Sequence, residues 1–266
     1  MAEPAERWAA GDAYEPYVGR WSRLVAGEFL AWLAVDGGAG WLDVGCGSGA
    51  LTQTTLAVAN PAAVLGVDPS PGYVAYARSR TTDRRARFAV ADARRLPLAD
   101  GRMDAVVSGL VLNFVLDPGQ AVREMVRVAG MGGRVAAYVW DYAGRMELIR
   151  CFWEAAVEMD PAAVELDEGR RFGLCRPEPL ARLFQDAGLV EVRTRSIDVA
   201  TTFGDFADYW TPFLGGQGPA PGYAMSLGAE QRAALREELR ARLPVAPDGS
   251  ISLVARAWAV QGARGR

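Results

Sequence analysis

Residues 41–52 read Trp41-Leu42-Asp43-Val44-Gly45-Cys46-Gly47-Ser48-Gly49-Ala50-Leu51-Thr52. The stretch begins as a short apolar run, breaks into three glycines at alternate positions, and resumes with helical periodicity over residues 50–59. This pattern predicts a strand, a tight turn and a helix, which together open a βαβ unit. Glycines let such a turn adopt backbone angles that other residues resist, and the first amides of the helix would face a bound ligand.

The acid inside this apolar run carries a second signal. Asp43 stands two residues before Gly45, at the predicted C-terminal end of a buried strand. A buried carboxylate is costly unless it is hydrogen-bonded or faces a polar ligand. The loop reads GxGxG followed by Ala50, which also fits the looser GxGxxA pattern of dinucleotide-binding folds. By itself the loop leaves three alternatives open: a nicotinamide cofactor, another adenosine ligand, or a plain tight turn.

Composition excludes several classes of function. The chain has 266 residues, half of them apolar, and a formal net charge of −3 without a basic stripe, so we expect neither nucleic acid nor a membrane surface as a partner. No apolar run approaches the roughly eighteen residues that span a bilayer. The acidic N-terminus does not resemble a signal peptide, and we expect a cytoplasmic protein.

The cysteines and histidines restrict the chemistry further. Three scattered cysteines, Cys46, Cys151 and Cys175, favour reduced thiols over a disulfide framework or a zinc cluster. Histidine is absent, which rules out Ser-His-Asp and Cys-His triads. No metal site is predicted.

Strands and helices alternate through the first half of the chain. We predict strands at residues 41–44, 63–68, 87–90, 103–108 and 134–140. Helical segments mostly separate these strands, and Gly130-Met131-Gly132-Gly133 is interpreted as a helix stop. The alternation predicts a doubly wound, mostly parallel α/β sheet that binds ligands at the C-terminal ends of its strands. Residues 262–266 are expected to form a loose tail.

Two further acids follow strands. Asp68 lies roughly 20 residues beyond the glycine loop, where an acid accepts hydrogen bonds from ribose hydroxyls. The alternative role is to cap the helix that begins at Pro69-Ser70-Pro71. Asp92 follows the third strand; it would accept from an adenine amine or serve as an N-cap.

Aromatic segments flank the regular alternation. Residues 14–35 form a helical pattern. Its upstream end, with Tyr14, Tyr17, Arg20 and Trp21, is interpreted as an N-terminal flap over a ligand or as a helix packed on the sheet. Residues 141–176 and 198–228 are rich in aromatic side chains and are interpreted as cap insertions. We therefore expect a single domain over residues 1–266 with a helical, aromatic cap.

The order of motifs resembles one enzyme family. Residues 43–49, Gly66-Val67-Asp68-Pro69-Ser70, Ala91-Asp92-Ala93 and Leu96-Pro97-Leu98 are similar to class I S-adenosylmethionine-dependent methyltransferases. The nearest branch is the small-molecule enzymes that resemble the ubiquinone/menaquinone-biosynthesis methyltransferases. The resemblance implies a Rossmann-like, doubly wound, seven-stranded sheet with one antiparallel strand, which here would be residues 251–260.

The resemblance also implies roles for individual residues toward S-adenosyl-L-methionine. Gly45 and Gly47 would pass its methionine part, and Asp43 would anchor its amino group. The other implied contacts are Asp68 with the ribose, Pro69 and Tyr73 beside the adenosine, Asp92 and Ala93 with the adenine, the Ser108 carbonyl with the amino group, and Tyr17 and Trp21 as the flap. The sequence departs from the family pattern at Met131, where proline is common, and near Asn113, where relatives often have histidine.

The expected reaction is methyl transfer to a small, partly aromatic or apolar metabolite, with an O, N, S or C acceptor. We expect the substrate to contact Asn113, Trp140, Tyr142, Tyr209 and Trp210, unless these aromatics are only the core of a small cap. Asp141 is the candidate base, and Arg145, Arg170 or Arg171 would meet an acidic group or remain solvated. Two alternatives stay open: a nicotinamide-dependent oxidoreductase and a non-catalytic S-adenosylmethionine-binding protein. The sequence assigns no oligomeric state.

Overall fold

A computed structural model describes residues 15–216 and 218–265 and contains a seven-stranded sheet. The strands are β1 (Gly40–Val44), β2 (Ala63–Asp68), β3 (Ala86–Val90), β4 (Met103–Gly109), β5 (Ala129–Trp140), β6 (Leu189–Phe203) and β7 (Ile251–Arg264). They lie in the order β3-β2-β1-β4-β5-β7-β6. The pairs among β1 to β5 are parallel and β7 runs antiparallel to β5, which confirms the predicted sheet.

Helices connect and follow the strands. The α-helices are α1 (Arg20–Leu33), α2 (Ala50–Val58), α3 (Pro71–Arg80), α4 (Pro118–Val128), α5 (Glu147–Met159), α6 (Glu168–Arg171), α7 (Pro177–Asp186), α8 (Phe206–Trp210), α9 (Pro219–Ser226) and α10 (Ala229–Arg242). Ser70 and Asp117 cap α3 and α4 with their side chains, and a proline follows each cap in the first turn. No helix within the described ranges is long and apolar enough to cross a membrane.

The strand order creates a crevice beside β1. The chain adds β2 and then β3 on one side of β1, and places β4 on its other side. The connections that leave β1 and β4 therefore diverge, and open α/β sheets bind their ligands at such a switch point. The glycine turn at residues 45–49 begins at the C-terminal end of β1, directly at this point.

Helix α4 ends at Val128, as the glycine-rich stop predicted, but two predicted strand bounds are wrong. Residues 130–133 belong to β5 and accommodate a shift in its register with β4, because Gly132 has a φ of 73° and a Cβ at Gly133 would lie 2.8 Å from the Gly130 carbonyl oxygen. The expected tail after residue 261 is ordered as strand β7 through Arg264. Its backbone pairs with β5, where Ala263 lies opposite Arg134.

The described chain divides into two compact units. The sheet unit comprises residues 22–140, 174–197 and 257–265. The helical unit comprises residues 15–21, 141–173 and 198–256, apart from residue 217. The stretch at 198–228 is more regular than expected, since β6 continues to Phe203 and α8 and α9 follow. Tyr14, the first residue of the predicted flap, lies outside the described residues.

Candidate active site

The turn after β1 is built around glycine backbone. The amides of Gly45 and Cys46 both donate to the Val67 carbonyl oxygen, at 2.7 and 2.9 Å, which binds the turn to the end of β2. Gly45 has a φ of 76°, and a Cβ there would lie 2.5 Å from Cγ1 of Val111. Gly47 has a φ of 49° and no atom within 4 Å of the corresponding position. Gly45 is therefore required by packing, whereas Gly47 leaves space beside the turn.

Asp43 lies beneath this turn and is only half satisfied. Its carboxylate is buried, and Oδ2 accepts a hydrogen bond of 2.7 Å from Oγ1 of Thr52. Oδ1 is also shielded from solvent but has no donor among the described residues. Burial raises the pKa of Asp43 to about 7, against the opposing effect of the Thr52 hydrogen bond. An unpartnered buried carboxylate oxygen is a ready acceptor for a cationic ligand.

Asp68 joins the glycine turn to the end of β2. Its Oδ2 accepts from the amide of Gly47 at 3.0 Å, and its Oδ1 accepts from the amide of Ser70 at 2.9 Å. Burial raises the pKa of this carboxyl, and the two amide hydrogen bonds oppose that change. The structure thus brings together Gly47, Asp68 and the start of α3, and the ribose role of Asp68 remains a prediction. Asp68 caps no helix itself, because Ser70 accepts from the Tyr73 amide, at 3.4 Å.

The adjacent predicted adenosine residues divide into buried and exposed ones. Tyr73 is buried beside Asp68, and its pKa is raised to about 12, mainly by burial. Ala93 is also buried. Asp92 lies at the surface, where Arg94 holds its carboxylate at 2.6 Å and lowers its pKa. The Asp92 carboxylate is therefore engaged by a neighbour two residues away, and it is not the N-cap of a helix.

Two polar side chains lie near the end of β4. Ser108 is fully buried, and its hydroxyl donates to the Val44 carbonyl oxygen at 2.8 Å, which ties β4 to β1. Asn113 stands in the 3₁₀ turn Leu112–Phe114 that follows β4. Both polar atoms of its amide are shielded from solvent without a partner among the described residues. Asn113 is therefore available to a ligand through either a donor or an acceptor.

Comparison with known proteins decides the family. Residues 42–137 match the family described as "Methyltransferase domain". A demethylmenaquinone methyltransferase of Roseiflexus sp. (strain RS-1) is 32% identical over 170 residues, which cover 59% of this chain and 70% of the relative. The chain belongs to the class I S-adenosylmethionine-dependent methyltransferases. This membership separates it from the nicotinamide-dependent oxidoreductases that the loop alone left open.

Solved structures share the fold of this methyltransferase. A protein of Bacillus halodurans C-125 described as a methyltransferase has a TM-score of 0.60 and 15% identity, and the match covers 91% of this chain and 99% of that one. Phosphoethanolamine N-methyltransferase 2 of Haemonchus contortus, in complex with S-adenosyl-L-methionine, has a TM-score of 0.60 and 15% identity over 96% of this chain and 56% of that one. At these identities the likeness concerns the fold.

The turn of this methyltransferase suits the methyl donor of the family. S-adenosylmethionine carries an ammonium group at its methionine end, and Asp43 offers an unpartnered carboxylate oxygen. Thr52 orients that carboxylate, and sequence analysis did not identify it. Its only sequence signal is a hydroxyl in the first turn of the helix that follows the glycines, which faces back toward the strand end.

The predicted flap and substrate aromatics of this methyltransferase form a buried cluster in the helical unit. Tyr17 contacts Phe213 and Trp21 contacts Phe203, each with ring centroids 5.5 Å apart. Tyr209 is fully buried, and its hydroxyl donates to the Leu148 carbonyl oxygen at 2.9 Å. Trp210 is buried at the same cluster, 6.1 Å from the Phe213 ring. These contacts give the aromatics a packing role; their assignment to cofactor or substrate remains a prediction.

Residues 140–142 also have local partners. Trp140 is buried in the sheet, opposite Ala257 of β7. Asp141 is buried, and its Oδ2 accepts from the Arg145 amide at 3.0 Å, so this carboxylate closes the turn that precedes α5. The Tyr142 ring lies 5.4 Å from that of Phe172. A role for Asp141 as a base remains a prediction, and its observed contact is structural.

Sequence analysis did not identify one buried acid of the helical unit, Glu168. Glu168 is buried in the helical unit and accepts from the Trp153 indole N–H and from the Ala220 backbone amide. Burial raises its pKa to about 7, and the hydrogen bonds oppose that change. In the sequence it stands beside Asp167 in a charged run, which by itself indicates a solvated surface. Glu168 instead links α6 to α5 and α9.

Proposed function

We propose that this methyltransferase binds S-adenosylmethionine at the turn after β1 and methylates a small, partly aromatic or apolar metabolite. The observation that carries the proposal is the buried Oδ1 of Asp43, which has no donor within the described chain and lies at the switch point of the sheet. An ionised Asp43 would hold the cofactor's ammonium group, with Thr52 fixing the orientation of the carboxylate.

Asp68 would take the ribose hydroxyls on its remaining lone pairs. Each of its oxygens already accepts one backbone amide, and a carboxylate oxygen can accept a second hydrogen bond. The amide contacts hold the carboxylate in place before the ligand arrives, which lowers the cost of ordering it on binding. Tyr73, Pro69 and Ala93 would flank the adenosine, and Asp92 would contact the adenine amine by exchanging part of its pairing with Arg94.

The bound cofactor supplies an electrophilic methyl group on a sulfonium. Most of the rate then comes from holding the acceptor atom in line and from excluding water. Asn113 is the strongest candidate for orienting the acceptor, because both ends of its amide are shielded and unpartnered within the described chain. Asp141 would accept a proton only if the acceptor needs a base.

The acceptor is proposed to be a mid-sized planar or apolar molecule. The aromatic side chains of the helical unit support this class, since flat rings bury apolar surface well. The Roseiflexus relative is named for demethylmenaquinone, which belongs to the same broad class.

The proposal is tested by following an isotopically labelled methyl group. The protein is incubated with labelled S-adenosylmethionine and fractionated small-molecule extract, and products are analysed by mass spectrometry. Asp68→Ala, checked for folding by circular dichroism, serves as the matched control. We expect label in one compound with wild type and little with the variant. Equal labelling by both proteins would contradict the assigned site, and cofactor binding without any labelling would favour the non-catalytic alternative.

A further inference from the structure

Arg20 begins α1 and packs against two aromatic rings of the helical unit. Its guanidinium carbon lies 4.4 Å from the centroid of the Trp21 ring and 4.9 Å from that of Phe203. Nη1 donates to both carboxylate oxygens of Asp208, at 2.9 and 3.2 Å. Asp208 also accepts from the Gly204 amide at 3.0 Å. The ring contacts and the ion pair hold the guanidinium in place.

The opposite edge of this guanidinium is unused. Nε and Nη2 of Arg20 are shielded from solvent and have no acceptor among the described residues. In arginine these two N–H groups point in parallel and match the two oxygens of a carboxylate or phosphate. Leaving two buried donors of a charged group without a partner is unfavourable. An anion that accepts from both donors would therefore bind favourably at this edge.

Another arginine of the chain shows which group can bind to the Nε and Nη2 donors. Arg127 donates from Nε and Nη2 to the carboxylate of Glu124, at 2.7 and 2.8 Å. At the same time its Nη1 donates to Asp100 at 2.7 Å. Arg20 has the Nη1 partner of this arrangement but lacks the second carboxylate. An arginine that already holds one carboxylate can therefore hold another on its side edge.

Two more buried polar groups belong to Trp21 and to the strand that carries Phe203. The indole Nε1 of Trp21 and the hydroxyl of Thr201 are both shielded without a partner among the described residues. Trp21 and Phe203 are in ring contact, and Thr201 stands two residues before Phe203, on the same buried face of β6. The indole can only donate, and the hydroxyl can donate. This set of donors favours an anion over a cation.

We propose that Arg20, with Trp21 and Thr201, binds a carboxylate or phosphate group of the acceptor molecule. The inference rests on the proposed function, because it names the chemical class of the acceptor: a planar acid whose apolar body lies among aromatic rings. The other arginines considered from the sequence are engaged, Arg145 by Asp198 at 3.1 Å and Arg170 by Glu165 at 3.6 Å. The glycines and carboxylates assigned to the cofactor all belong to the sheet unit.

The test compares flat probes that share a naphthalene ring and differ in their polar group. Binding of 2-naphthoate, 2-naphthyl phosphate and the neutral 2-naphthamide is measured by calorimetry on the full chain saturated with S-adenosylhomocysteine. Since hydrogen bonds to a charged group are the strong ones, we expect wild type to prefer one anion over the amide by about tenfold or more. The two anion arms distinguish a carboxylate from a phosphate.

Variants locate the preference. Arg20→Lys keeps the charge but loses the paired Nε and Nη2 donors, so we expect the preference for the anion over the amide to fall to about threefold or less. Trp21→Phe keeps an aromatic side chain but loses the indole N–H, so we expect it to reduce that preference in part. Asp208→Asn is the matched control, because it weakens the Nη1 pair and retains the side edge. It should retain the preference, with folding of all variants checked by near-ultraviolet circular dichroism.

Several results would overturn the inference. These are equal or absent binding of all three probes to wild type, an undiminished preference in Arg20→Lys, and an Arg20→Lys variant whose main defect is weaker binding of S-adenosylhomocysteine itself. The last result would indicate that Arg20 binds the cofactor and would leave the proposed function unchanged. Failure of wild type to bind S-adenosylhomocysteine would contradict the proposed function instead, and the preference for the anion would then be read from the protein alone.

Discussion

Asp43 accepts a hydrogen bond from Thr52 on one carboxylate oxygen and leaves the other buried oxygen without a donor among the described residues. The site therefore holds a carboxylate whose ionised form is under-satisfied until a cation arrives. Stability of the free protein and affinity for the cofactor should then respond in opposite directions to changes at Asp43.

Replacing Asp43 by asparagine tests this opposition. The neutral amide still accepts from Thr52 but offers no charge to an ammonium group, so S-adenosylhomocysteine should bind about tenfold to a hundredfold more weakly. The free variant should be as stable as wild type or more stable above neutral pH, because no charged group remains buried. Calorimetry and urea unfolding measure the two effects. Unchanged affinity in Asp43→Asn would contradict the assigned role.

Cofactor binding should release a proton near neutral pH. Burial raises the pKa of Asp43 to about 7 in the free protein, and a cation beside it lowers that pKa. Affinity for S-adenosylhomocysteine should therefore rise by up to about tenfold per pH unit as pH increases toward about 7, and then level off. Calorimetry in buffers of different ionisation enthalpy counts the protons. The same pH dependence in Asp43→Asn would show that another group is responsible.

Two glycines of the turn should respond differently to alanine. Gly45→Ala places a methyl group 2.5 Å from Val111 at a positive φ, and should lower the free energy of unfolding by about 2 kcal/mol or more. Adding Val111→Ala should restore part of that loss. Gly47→Ala also lies at a positive φ but has room for its methyl group, so it should cost only about 1 kcal/mol of stability and reduce cofactor affinity more. Equal loss of stability in both single variants, measured by urea unfolding, would contradict the geometry.

The stability of the free protein should fall as pH rises toward 7. Burial raises the pKa of Glu168 from its ordinary 4.5 to about 7, so the unfolded state binds fewer protons over this interval. The free energy of unfolding then decreases with pH, by at most about 1.4 kcal/mol per pH unit for one group. Asp43 acts in the same direction, and Asp167 and Tyr17 are the titratable neighbours of Glu168.

Glu168→Gln separates this contribution. Because Glu168 is protonated at low pH, the neutral glutamine should match it there, and the stability of the variant should depend less steeply on pH. Urea unfolding at a series of pH values between about 5 and about 7 measures the slope. A slope identical to that of wild type would assign the dependence to other groups.

Local sequence patterns predicted the part of the molecule that carries the proposed cofactor residues. The glycine turn, Asp43 and Asp68 stand at strand ends, and apolar runs bounded by glycine and proline define those ends without tertiary information. The register shift at residues 130–133 and the extension of β7 through Arg264 depend on pairing with a distant strand, which the same patterns do not encode. The glycines at 130–133 follow the end of α4 as predicted, but only pairing with β4 makes them part of a strand.

Partners distant in sequence account for the missing site details. Arg20 meets Asp208 across 188 positions, and Tyr209 meets Leu148 across 61. No periodicity indicates that the Tyr209 hydroxyl donates to a backbone carbonyl oxygen, or that Nε and Nη2 of Arg20 have no acceptor among the described residues. Thr52 is only nine residues from Asp43 in the sequence, but a single hydroxyl in a helix does not indicate which group it contacts.

The most direct test of the central claim is titration of the purified protein with S-adenosylhomocysteine and, separately, with NADH. The account predicts one S-adenosylhomocysteine bound per chain, weakened by Asp68→Ala and by Asp43→Asn, and no measurable binding of NADH. Two results would contradict the assignment of the glycine turn and its two carboxylates to the methyl donor. One is binding of NADH in place of S-adenosylhomocysteine, and the other is an affinity for S-adenosylhomocysteine that neither substitution changes.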